Sequence, residues 1–377
     1  MDFFYFIPPQ LYHTVFILLI SGLCLITSIY YSFSNDNKCI YTKSNLGLAF
    51  SIVLSILIIW FLGPRPVHIA FVDTGYYVFG YNNVIEGYKN FSLTEEWIWH
   101  NFEFFCKDIG LTAQHFLFLV ELLYVGLALL VSLKLFPNHT LIAILFFLSS
   151  FSFYAYGVNG IRNGLACHIV LLAVALISGK MWEKVLSAVL LFIAYGIHRS
   201  TALPILCLLS SFFLIRSTKT AIFFWVISIF ISLIAGNFIG NFFNELDLYE
   251  DKSDYFIEAD ISDTTASFSS TGFRFDFLIY SMFPVLMAWY LTVKRNFQDL
   301  TYNIIANTYI LANAFWIMVI RATFSNRFAY LSWFLYPLVI VYPLLKMRIW
   351  DNQDKWMAGI LFIYAAFVFL MTFVYYG

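Results

Sequence analysis

The stretch Val185-LSAVLLFIAYGIHRSTALPILCLLSSFFL-Ile215 decides the fold. Two apolar runs flank the polar turn Gly196-Ile197-His198-Arg199-Ser200-Thr201, which predicts two antiparallel helices joined at one face of a bilayer. A helix rises about 1.5 Å per residue and the hydrocarbon core is about 30 Å thick, so two full spans need roughly 40 residues. Residues 185–215 supply 31. The turn is therefore expected below the membrane surface. A His-Arg pair at that depth is tolerated where it faces a water-filled cavity or a partner.

Apolar runs of this kind fill the chain. They place spans at 11–31, 46–63, 113–135, 140–158, 163–178, 185–197, 201–215, 220–240, 276–293, 303–321, 328–345 and 356–375. The expectation is an all-α, polytopic transmembrane bundle of about 12 spans, one integral membrane domain over residues 1–377. Composition agrees: 61% of residues are hydrophobic and 11% charged, against about 45–50% and 25% in soluble domains. A net charge of −1 argues against nucleic acid as a partner. Residues 1–10 contain no basic segment, so the first span reads as a retained helix, not a signal peptide. Of the five cysteines only Cys106 falls in an outer loop, which implies no disulfide framework, and no Cys/His spacing matches a zinc site, so neither metal nor cofactor is expected.

The positive-inside rule orients the spans. Short loops on one side carry Lys38, Lys43, Lys134, Lys180, Lys184, Arg216, Lys219, Lys294, Arg295, Lys346, Arg348 and Lys355. The other side carries Arg65, Lys89, Lys107, Arg162, Arg199, Lys252, Arg274, Arg321 and Arg327, over longer loops. The first side is assigned to the cytoplasm, with both termini outside. Two outer loops are long, 64–112 and 241–275. Residues 95–108 are expected to form a short amphipathic helix with Trp97, Phe104 and Phe105 near one face and Glu96, Glu103 and Lys107 elsewhere. Residues 241–271 are acidic, then Ser/Thr-rich; Asp247 to Asp263 read as a solvated loop rather than a divalent-ion site.

The kind of cation differs by side. Lysine dominates inside and arginine outside, and topology alone does not require that. Arginine is favoured where a phosphate or carboxylate is held by two parallel hydrogen bonds. Arg162, Arg199, Arg274, Arg321 and Arg327 all sit at helix ends or in short turns. The competing reading is that they reach to lipid headgroups or pair with outer acids. A second polar turn, Tyr156-Gly157-Val158-Asn159-Gly160-Ile161-Arg162-Asn163, puts Asn159, Arg162 and Asn163 on one helix face. With the turn at 196–201 it is expected to floor a cavity open to the outside. Arg274 and Asp276 are too close in sequence to share a helix face, but can pair in a non-helical entry.

At these residues the chain resembles the EpsG-like proteins, related to the Wzy-type O-antigen and capsule polymerases. The marks are Asp73-x-x-Tyr76-Tyr77-x-x-x-Tyr81, Arg162-Asn163-Gly164-Leu165-Ala166, His198-Arg199-Ser200-Thr201-Ala202-Leu203 and Arg327-Phe328-Ala329-Tyr330. The resemblance implies a multi-span glycosyltransferase of GT-C-like architecture in a bacterial inner membrane. It would move a growing glycan from undecaprenyl pyrophosphate to the next lipid-linked repeat unit at the periplasmic face, with membrane lipids and a chain-length regulator as further partners. In that chemistry His198 is the first candidate base, and Asp73 and Asp276 are the alternatives. The five arginines, with Asn159, Asn163 and Tyr156, are candidate ligands of pyrophosphate and sugar. A flippase of the same lipid-linked sugars, expected to show repeats and a midplane site, and an O-antigen ligase are the competing readings.

Overall fold

Apolar runs with no water to hydrogen-bond their backbone satisfy it internally as helices, and helix is what these runs form. The computed structural model describes residues 7–34, 38–41, 45–84, 90–245, 273–321 and 325–375; it is helical throughout, with no strand among the described residues. In order these are α1 Tyr12–Ser32, α2 Lys38–Tyr41, α3 Asn45–Leu62, α4 Thr74–Asn82, α5 Trp97–Asp108, α6 Ala113–Leu135, α7 Thr140–Leu148, α8 Phe153–Val158, α9 Ile161–Leu176 and α10 Met181–Ile197. There follow α11 Ala202–Phe213, α12 Thr218–Glu245, α13 Phe275–Ala288, α14 Leu300–Met318, α15 Ser325–Trp333, α16 Tyr336–Lys346 and α17 Gln353–Leu370. Most of the expected outer loop 241–275, with Asp247 to Asp263, lies outside the described residues, as do Lys43 and Lys89.

Every expected span falls on helix, but the number of full crossings differs from about 12. Among the described residues seven helices are long and apolar enough to cross a membrane: Pro9–Ser32, Asn45–Leu62, Ala113–Leu135, Thr218–Gly236, Phe275–Lys294, Ser325–Lys346 and Gln353–Tyr375. Ile161–Leu176 and Arg199–Phe213 are apolar but shorter. Segment 140–158 divides into α7 and α8 at Ser149-Ser150-Phe151-Ser152, where the Ser149 hydroxyl donates to the Leu145 carbonyl at 2.6 Å. Such back-bonding loosens a helix end. Segment 328–345 stays a crossing, within Ser325–Lys346, with a two-residue turn at Phe334-Leu335 because Pro337 has no N–H to continue the ladder. α14 carries Asn303, Asn307, Thr308 and Asn313 along an otherwise apolar helix, which lowers its hydropathy.

The chain packs as two compact units. In the first, residues 1–199 and 340–377, α9 lies against α6 and α10, α6 against α3, and α1 along α17. One end of this unit is marked by Lys134 paired with Glu183, whose carboxylate also accepts the Lys180 backbone N–H at 2.7 Å to cap α10. In the second unit, residues 200–339, α14 packs against α11, α12, α13 and α15. Its asparagines join the helices: Trp225 donates to Asn313 at 2.8 Å, Asn313 to Ser332 at 3.0 Å, and Asn307 to the Ile215 carbonyl at 2.9 Å. Inter-helical polar contacts of this kind hold helices together where lipid supplies no hydrophobic driving force.

Candidate active site

The expected amphipathic helix in the first outer loop is α5. It ends at Gly110, whose φ of +82° suits glycine and stops the helix. Its buried face is Trp99, Glu103 and Cys106, while Phe105 is exposed, so the expected faces are corrected. The i, i+4, i+7 spacing places Glu103 on the covered side with Trp99. α5 docks on the end of α10 at Gly196, where a Cβ would lie 2.7 Å from Ile98 and 3.0 Å from the Trp97 ring nitrogen. Two further bonds fix the approach: the Tyr195 hydroxyl donates to the Leu93 carbonyl at 2.7 Å, and the Arg199 guanidinium to the Thr94 carbonyl.

This docking inserts Glu96, the residue before α5, between the two polar turns. Glu96 is 6% exposed. Its Oε2 accepts from Arg162 Nη1 at 2.8 Å. Its Oε1 is hydrogen-bonded to His198 Nδ1 and receives the Arg199 backbone N–H at 3.4 Å. Burial pushes the Glu96 carboxyl upward, but the His198 hydrogen bond and charge, the Arg162 charge and the Arg199 N–H outweigh it and hold it down at about 2. His198 stands just past the last residue of α10, in extended conformation. Arg162 is in the first turn of α9, where the helix dipole disfavours a cation; Glu96 supplies the compensating charge.

The first two family-like marks meet here. Tyr77 of α4 is buried and presents its ring to Arg162, 5.7 Å from the guanidinium carbon. Tyr81 stacks on Phe116 at 4.8 Å and donates to the Leu111 carbonyl. Asp73 is half-buried at the N-terminus of α4 and does not cap it with its side chain. Gly164 lets α9 approach α8, since a Cβ there would lie 2.7 Å from the Tyr156 carbonyl oxygen. Tyr156 is buried under that contact. Asn163 accepts from the Cys167 thiol at 3.2 Å, and the Asn159 amide oxygen is buried without a hydrogen-bond partner among the described residues.

Arg65, which is not one of the five helix-end arginines, is 1% exposed. It donates to Thr74 Oγ1 at 2.9 Å, to the Leu62 carbonyl at 2.9 Å and to the Val158 carbonyl at 3.1 Å. It thereby ties the ends of α3 and α8 to the start of α4, just ahead of the turn that carries Arg162.

In the second unit Arg274 forks onto Asp276 at 2.9 and 2.6 Å, with Phe277 beneath the guanidinium at 3.8 Å. Pairing with an outer acid thus describes both Arg162 and Arg274. Arg321, in the turn after α14, lies 5.8 Å from the Phe273 ring and packs over Gly236 of α12, where a Cβ would meet its side chain at 3.0 Å. Arg327 is half-buried in the first turn of α15. Ala322, Thr323 and Phe324, between these two arginines, lie outside the described residues. Among the described residues no group of three or more His, Cys, Asp or Glu is placed to hold a metal.

Sequence reading missed Glu96. The available signal was a glutamate immediately before an amphipathic helix, in a chain with buried basic turns that need a counter-charge. No curated protein and no solved structure matches this chain. The model of the EpsG family matches residues 48–377, a stretch that takes in Glu96, both polar turns and all five helix-end arginines, and the chain belongs to that family.

Proposed function

We propose that this protein is a polysaccharide polymerase. It transfers the growing glycan from undecaprenyl pyrophosphate to the next lipid-linked repeat unit, at the periplasmic face of a bacterial inner membrane. The observation that carries the reading is the clustering of His198, Arg162 and Arg199 around one buried carboxylate, at the end of the first unit opposite the Lys134–Glu183 pair, in a chain of the EpsG family.

The reaction is attack by an acceptor sugar hydroxyl on the anomeric carbon of the donor. The new C–O bond forms as the bond to pyrophosphate breaks, and the electron pair leaves with the lipid pyrophosphate. Charge grows on that leaving group, so fixed cations lower the barrier. Arg199, the exposed arginine of the first unit's cluster, and Arg321 and Arg327 in the second unit are each assigned to pyrophosphate oxygens, whereas Arg162 is held by Glu96 and Arg274 by Asp276. His198 takes the hydroxyl proton, a step contributing typically about 10²–10⁴-fold. Asp276 is engaged by Arg274, which ranks it behind His198 as a base.

The test has two arms. In a strain lacking the chromosomal copy, a polymerase reading predicts loss of long chains with single-unit transfer intact. Loss of all transfer would indicate a ligase, and lipid-linked units held at the cytoplasmic face a flippase. Complementation with Arg199, Arg321 or Arg327 replaced singly by Lys and by Ala, at matched membrane levels, is expected to shorten chains in both series. Lysine serving as well as arginine at every position would remove two-pronged phosphate recognition from the account.

A further inference from the structure

The sequence offers His198 as a base but nothing to orient it. We infer that Glu96 is the positioning residue of this site: it holds His198 in the tautomer and orientation that proton removal requires, and α5 is the element that delivers it. The inference rests on the polymerase reading and extends it to a residue outside every recognised mark.

The geometry carries the argument. An imidazole has two distinct nitrogens, and the partner of one decides the state of the other. Glu96 is ionised and accepts only, so His198 Nδ1 is the donor to Oε1, which leaves Nε2 as the nitrogen that accepts a proton in the neutral imidazole. When Nε2 takes the acceptor hydroxyl proton, the imidazolium formed lies against a carboxylate. That base-and-orienter relation is general to histidine catalysis and independent of fold. The carboxylate is itself fixed: Arg162 holds Oε2, and the Arg199 N–H reaches Oε1. Its position is over-determined by the docking of α5 at Gly196. Among the described residues, titratable groups that bear on the Arg162–Glu96 end of this cluster are Tyr76 and Tyr77 on α4 and Glu103 on α5. Glu103 Oε2 is engaged by His100 at 3.6 Å, and the two tyrosines and Glu103 act electrostatically on Arg162. Among the described residues Glu96 is the carboxylate bonded to His198.

The experiment uses full-length protein with Glu96→Ala, Glu96→Asp and His198→Gln, at matched membrane levels. One readout is elongation in permeabilised cells of a strain lacking the chromosomal gene, fed by its own accumulated lipid-linked units. The other is the ¹⁵N spectrum of histidine-labelled protein in detergent, with the His198 signals assigned by their loss in His198→Gln. Glu96→Ala is expected to slow elongation at least tenfold and to move His198 out of the Nδ1–H tautomer. Glu96→Asp, which keeps the charge and the acceptor, is expected to restore the tautomer and part of the rate. If Glu96→Ala slows elongation but leaves the tautomer unchanged, or leaves both unchanged while His198→Gln stops elongation, Glu96 only anchors α5 and the inference is overturned. Full elongation by His198→Gln would remove the base itself, and the proposed mechanism with it.

Discussion

At the scale of single residues, two charges dominate the first unit, and neither was among the candidates read from sequence. Arg65 is buried with three hydrogen bonds to groups from α3, α4 and α8. Losing one partner of a buried bond leaves the other unsatisfied, at about 1–3 kcal/mol each. Arg65→Met, which keeps the bulk, is therefore expected to destabilise the protein by several kcal/mol, read as earlier thermal unfolding in detergent. Glu96 sets a pH dependence whose sign follows from its depressed pKa. Its ordinary value is 4.5 and its folded value about 2. The stability it contributes is fully present above about pH 4.5 and is lost as pH falls through about 2. Amide exchange over residues 97–108 is expected to accelerate across that window in the wild type. Glu96→Gln is expected to show fast exchange already at pH 6; protection there equal to wild type would mean that other contacts hold α5.

At the scale of elements, the site depends on how closely helices approach. α5 lies on α10, and α9 on α8, through Gly196 and Gly164. The consequences differ. At Gly196 the nearest atoms belong to the Ile98 side chain, which can move, so Gly196→Ala is expected to lower polymer length modestly and Gly196→Leu to abolish it by lifting α5 from His198. At Gly164 the obstacle is the Tyr156 backbone carbonyl, so even Gly164→Ala must shift α8 against α9 and displace Arg162. Wild-type chain length from Gly164→Ala, at wild-type membrane levels, would show that Arg162 tolerates that shift. The helices themselves were legible from their apolar runs. Their interruptions were not, because Ser149–Ser152 and Pro337 act through backbone hydrogen bonds, which hydropathy does not register.

At the scale of the whole molecule, contacts sort the first unit by end. Lys134 and Glu183 meet at one end of α6 and α10, and Glu96, Arg162 and His198 meet at the other end of α9 and α10. This agrees with the partition made from loop charge. The five cysteines are buried, so background labelling is low. A membrane-impermeant thiol reagent applied to intact spheroplasts is expected to label Thr94→Cys and to spare Lys184→Cys until the membrane is opened. The reverse pattern would invert the topology and move the proposed chemistry to the cytoplasm.

The sequence by itself determined a helical membrane protein with arginine-rich ends, and it carried the family resemblance, because apolar period, loop charge and short motifs are all local. The 31 residues of 185–215 also foretold helices too short to cross twice, since chain length limits span directly. Tertiary structure decided which charges meet. Glu96 reaches His198 across about a hundred residues of chain, and no local pattern encodes that pairing. It arises because a buried arginine and a half-buried histidine need an anion, and the folding of the segment before α5 brings one to them.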